Sequence, residues 1–110
     1  MARKRITTQV SKIVHEYIRL LKKDDIPIEG VYVFSSRVSG RARKDSDIDV
    51  AIISPRLHNS LSSTKYLLGK AHELESPALT IEPHGFHSSD FVDENPVVWE
   101  IKTKGVQLHA

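Results

Sequence analysis

The sequence predicts one α/β domain in which helices and short strands alternate. Three observations carry that reading. An apolar stripe at helical spacing runs through residues 10–21, and two short β-forming runs follow at Val31–Phe34 and Val50–Ile53. The third is size: 110 residues with 39% apolar side chains suffice for one modest core, and residues 1–110, without repeat or low-complexity linker, read as a single domain.

The stripe is formed by Val10, Ile13, Val14, Tyr17, Ile18 and Leu21. Thr7 or Thr8 can cap its start, Lys22 and Lys23 suit the negative end of the helix dipole, and Asp24-Asp25-Ile26-Pro27 breaks it. Gly30 then introduces the strand Val31–Phe34. A polar stretch follows, and Asp47–Ile53 alternates acid and aliphatic before becoming wholly apolar, as a strand does when one end emerges from the core. Beyond Ser54-Pro55, residues from about Ser62 to Glu75 read as a helix using Leu67, Leu68, Ala71 and Leu74, with Gly69 against it. Ala78–Glu82 is a short strand that Pro83 is expected to stop. Asn95-Pro96 opens a last helix that Gly105 ends, and Val106–Leu108 is a final short strand.

Composition excludes several classes of function. With no cysteine there is no disulfide framework, thiol nucleophile or cysteine zinc site, which makes a cytoplasmic location the expectation. No apolar run approaches the roughly 20 residues needed to cross a bilayer, so no membrane partner is expected. The basic start Arg3-Lys4-Arg5 leads into polar residues rather than a signal-peptide core. Net charge is only +2. It hides a local asymmetry, because Arg37, Arg41, Arg43 and Lys44 crowd the stretch before Asp47 and Asp49.

Asp47-Ile48-Asp49 is the first chemical feature. Period two places both carboxylates on one face of a strand, where charges about 6 Å apart repel by roughly 3 kcal/mol at an effective dielectric near 20. A divalent cation removes that cost and leaves room in its shell for water and phosphate. Just upstream, Ser35 and Ser36 stand at a strand end, where hydroxyls and backbone N–H groups can hold phosphate oxygens. A calcium loop fits less well: its sixth position is Val50 instead of glycine and its twelfth is Arg56 instead of glutamate. Neither a dinucleotide fingerprint nor a Walker loop is present.

Ser36, ten residues, then Asp47-Ile48-Asp49 resembles the signature of the DNA polymerase β-like nucleotidyltransferases, normally Gly-Ser, ten residues, Asp-x-Asp. The longer string from Phe34 to Val50 is similar to that of the minimal nucleotidyltransferases, short members often paired with a HEPN-domain protein. The resemblance implies a nucleotidyltransferase fold, with a small mixed sheet of three to four strands and helices packed on one side. It implies that Asp47, Asp49 and Glu82 form the catalytic, metal-binding cluster, and that Ser35, Ser36 and Arg37 contact the nucleotide. The implied cofactor is Mg²⁺, in a two-metal site, and the implied substrate is ATP or another nucleoside triphosphate. The implied reaction moves a nucleoside monophosphate, AMP first, to an acceptor hydroxyl. That acceptor would be a tyrosine of a HEPN toxin, making this chain the antitoxin, with homo-oligomerisation left open.

One departure stands out: Ser35 occupies the place of the family's glycine, where a side chain crowds a ligand approaching the backbone. The alternative reading is therefore a catalytically weak or inactive subunit that neutralises its partner by binding. RNA binding through the basic stretches is a third and weaker reading, and nucleic acid is not an expected partner. His84 and His87, three apart and close after Glu82, could be metal ligands but show no evident third partner, so the reading is against it; His15 reads as a surface residue, and His58, His72 and His109 offer no constellation. Trp99 reads as a core or interface residue.

Overall fold

The computed structural model describes residues 6–34, 47–58, 60–74 and 80–108. Its elements, in chain order, are α1 (Thr8–Lys23), β1 (Gly30–Phe34), β2 (Asp47–Ser54), α2 (Leu61–Ala71), β3 (Thr80–His87), α3 (Pro96–Lys104) and β4 (Val106–Leu108), with a short 3₁₀ turn at Ser88–Asp90.

α1 forms where its stripe predicts. Thr7 caps it, its hydroxyl accepting from the Val10 N–H at 3.1 Å, and Ile13, Val14, Tyr17, Ile18 and Leu21 are its buried residues. Its end is closed by backbone bonds, Asp25 N–H to Lys22 O and Ile26 N–H to Leu21 O, with Asp25 at a φ of 63°. An aspartate tolerates that left-handed position better than most residues, and the turn folds Ile26 back onto the core. The Asp24 carboxylate then ties this turn to α2, accepting from Tyr66 at 2.7 Å and pairing with Lys70 at 2.9 Å. The hydrogen bond from Lys70, and after it that from Tyr66, holds Asp24 below the usual carboxylate range, while burial and the Asp24 hydrogen bond push the Tyr66 phenol up.

The four strands form one mixed sheet in the order β3-β2-β1-β4. β1 runs antiparallel to β2 and β4, whereas β2 and β3 are parallel. One face, carrying Val31, Val33, Ile48, Val50, Ile52 and Ile81, packs against α1 and α2 in the main core. Tyr17 crosses that layer, its buried hydroxyl donating to the Leu67 carbonyl at 2.9 Å. The two longer helices thus lie on one side of the sheet, as the resemblance implies. The short α3 adds Ile101 to a smaller cluster with Ala51 and Ile53 on the opposite face. Its weak apolar spacing did not reveal that side.

Two boundaries differ from the sequence reading. α2 stops at Ala71, short of Glu75. β3 does not stop at Pro83 but continues to His87. Proline is tolerated because β3 is an edge strand, where a missing N–H can face away from the ladder. Ala78 and Leu79 lie outside the described residues. The other helix limits hold: Asn95 caps α3, with Pro96 at its first turn and Gly105 at its end. No helix among the described residues is long and apolar enough to cross a membrane.

Two glycines make opposite predictions. A Cβ on Gly105 would lie 2.5 Å from the Ile101 carbonyl oxygen and 3.0 Å from that of Val33, so Gly105→Ala should lose about 1–3 kcal/mol through overpacking. A Cβ on Gly69, in α2, would meet nothing within 4 Å, so Gly69→Ala should gain about 0.5–1 kcal/mol of helix stability. Urea denaturation of the two variants beside the parent chain reads both signs.

Candidate active site

The face of the sheet opposite α1 and α2 is set by register. Phe34, Asp49 and Glu82 are cross-strand neighbours on β1, β2 and β3, and the next row on that face places Tyr32 beside Ala51 and Ala51 beside His84. Because β2 and β3 are parallel, their N-terminal ends coincide, so the polar starts of both strands share one end of the sheet. The middle of this face is apolar, with Ala51 and Ile53 under Ile101 and beside Tyr32, Phe86 and Phe91. The acids therefore emerge at the rim of an apolar layer.

Asp49 is 5% exposed, an expensive place for a carboxylate without compensation. Part of that compensation comes from His84, whose Nε2–H donates to Asp49 Oδ1 at 3.0 Å. A carboxylate only accepts, which assigns the proton to that ring nitrogen. The His84 ring is in turn packed against Phe34, with ring centroids 5.3 Å apart. Glu82 is exposed beside them, and the donor atoms of Asp49, Glu82 and His84 all lie within 4.8 Å of one another. Two carboxylates and an imidazole converging in this way suit a divalent cation, since they offer hard oxygen donors and one nitrogen around a common point.

Of the six residues expected at the site, Asp49 and Glu82 are brought together. Asp47 starts β2 two residues before Asp49, and its side chain is not among those described. Ser35, Ser36 and Arg37, with Arg41, Arg43 and Lys44, lie outside the described residues. That segment leaves the sheet at Phe34 and re-enters at Asp47, so both of its ends border the cluster.

His84 corrects the sequence reading, which found no partner for it. The signal was present in period two, because His84 follows Glu82 by two residues and must share its face once the strand runs through Pro83. His87 sits on the opposite face, stacked on His58 with centroids 5.0 Å apart. Trp99 is 53% exposed, which removes it from the core.

A cleft of 470 Å³ opens at the edge of β3, bounded by Glu82 and His84 on one side and by Thr64, Leu68, Phe86 and Val97 on the others. A group entering it would meet apolar side chains at Leu68, Phe86 and Val97 together with the polar Glu82 and His84.

A family model described as polymerase beta nucleotidyltransferase matches residues 15–109 of the chain. No curated protein matches it. Among solved structures, a chain from the crystal structure of a toxin–antitoxin with AMP-PNP is similar, with 25% identity and a TM-score of 0.54, over 87% of this chain and 72% of that one.

The Asp49–Glu82 contact predicts a sign for stability. Without cation their like charges repel, weakly because Glu82 is solvated, so Glu82→Gln in chelator should match the parent or exceed it by up to about 1 kcal/mol. Thermal melts at neutral pH check this, and a lower melting temperature would assign Glu82 a structural role.

Proposed function

The chain belongs to the polymerase beta nucleotidyltransferase family, and from that membership we propose that it transfers a nucleoside monophosphate, AMP first, from a triphosphate to a hydroxyl on a partner protein. The observation that carries this reading is the register that sets Asp49 beside Glu82 at the rim of the sheet, in a chain matched by that family over most of its length.

In the transfer, the acceptor oxygen forms a bond to the α-phosphorus while the bond from that phosphorus to the bridging oxygen breaks; pyrophosphate leaves with the electron pair, and the hydroxyl proton is released to solvent. Divalent cations bound at the carboxylates, Mg²⁺ by expectation and two in number, would offset the triphosphate charge and lower the pKa of the acceptor hydroxyl. Asp47, Asp49 and Glu82 are the residues to hold them. Burial on β2 fixes the Asp49 carboxylate in advance, so little reorganisation of the backbone that carries it is needed when substrate arrives. Glu82, exposed and lining the cleft, is the residue to accept a hydrogen bond from the acceptor hydroxyl. Ser35, Ser36 and Arg37 are assigned to the phosphates on the strength of the signature. No side-chain nucleophile is required, and alignment with fixed charge supplies most of the acceleration.

The cleft favours a side chain as the acceptor. Its apolar residues Leu68, Phe86 and Val97, in a lining that also includes Glu82, suit an aromatic ring that presents a hydroxyl, as a tyrosine does. The similar structure is of a toxin–antitoxin with AMP-PNP, which supports an adenine nucleotide and a toxin as partner here, with this chain as antitoxin. A HEPN-domain toxin is the partner the resemblance implies.

The test is incubation of the chain with α-labelled ATP, Mg²⁺ and the product of the neighbouring gene. Label should pass to a tyrosine of that protein, and Asp49→Ala should reduce the rate by at least about a hundredfold, the scale on which a fixed charge at a reacting centre acts. Neutralisation of the partner by both forms without label would leave the chain a binding subunit and end the catalytic reading.

A further inference from the structure

His84 is the one member of the cluster that the acidic signature does not account for, and three observations fix what it can do. It is held between the Phe34 ring and the Asp49 carboxylate. Its Nε2 lies 3.0 Å from Asp49 Oδ1 and within 4.8 Å of a Glu82 oxygen. The 3.0 Å spacing is that of a hydrogen bond, and it is also about what two neighbouring ligands at right angles on an ion with bonds near 2.1 Å require, so Nε2 has only to turn from Asp49 Oδ1 toward a shared ion without moving away. The ring is also about one-third exposed, which gives solvent access for moving a proton.

We propose that His84 is a direct nitrogen ligand to the cation held by Asp49 and Glu82, so that this site prefers a transition-metal ion such as Mn²⁺ over Mg²⁺ more strongly than an all-carboxylate site does. The proposal rests on the metal-binding reading of the two carboxylates given above. Coordination replaces the Nε2–H bond to Asp49: the proton on Nε2 passes to solvent while Nδ1 takes one up, leaving the ring neutral and Nε2 with a free lone pair for the ion. A nitrogen donor strengthens binding along the series from Mn²⁺ upward, whereas Mg²⁺ favours oxygen. The Phe34 ring keeps the imidazole facing the carboxylates throughout.

The experiment is pulsed electron paramagnetic resonance of the full chain with Mn²⁺ alone, without nucleotide, together with competition by Mg²⁺. The parent should show ¹⁴N coupling from a bound imidazole. His84→Gln and His84→Asn should lose it, with Mn²⁺ affinity falling roughly tenfold or more and Mg²⁺ affinity changing less. His87→Gln, altered on the other face, should keep it. Mn²⁺ binding that depends on Asp49 but shows no ¹⁴N coupling in the parent would overturn the role of His84 and leave the nucleotidyltransferase reading standing. Coupling that survives in both His84 variants would overturn it equally. Absence of any Asp49-dependent Mn²⁺ binding would remove both the ligand assignment and the metal site beneath it.

Discussion

The parallel pairing of β2 with β3 is the constraint on which the rest of the molecule depends. It sets Asp49 opposite Glu82 and Ala51 opposite His84, so acids far apart in sequence become neighbours without any loop having to hold them. Parallel neighbours cannot be joined by a hairpin, and the chain must cross over the sheet between them. α2 makes that crossing, and its burial through Leu67 against β3 is what keeps the edge strand in register. Gly85 lets it settle there, since a Cβ at that position would lie 2.9 Å from Leu67 Cδ1. A shift of one residue in β3 would turn Glu82 and His84 into the core and bring Ile81 out to the site.

The sheet separates two tasks by face. Its inner face is nearly all aliphatic and, with α1 and α2, carries the stability. The opposite face is apolar only in its middle and turns polar where the strands begin. A buried carboxylate there costs free energy that the larger core has to supply. Tyr17 and Asp24 bind α1 to α2 through hydrogen bonds that lie well away from the acids, so the two halves of that arrangement do not compete for the same residues.

Much of this was legible in the chain. The helical period of Val10–Leu21, the Asn95-Pro96 start and the apolar runs of β1 and β2 are local signals, and they located elements to within a few residues. That Asp49 and Glu82 would meet was legible only as what the resemblance implies. What could not be read was relational. Pro83 stops a central strand but not an edge strand, and strand order is a property of the whole sheet. His84 was missed as a consequence, because shortening β3 at Pro83 removed the alternation that puts it beside Glu82. The same limit hid the placement of α3, whose position over Ala51 and Ile53 depends on β4 pairing with β1 rather than on its own weak apolar face.

Pro83 has one further effect. An edge strand offers a row of free donors and acceptors to any other extended chain, which is how sheets fuse into aggregates. A proline in the middle of β3 withholds one donor, and at the other edge β4 is only three residues long. Among the described residues, neither border of the sheet is a good template for another strand. The residue that obscured the strand in the sequence thus guards its edge against pairing with another strand.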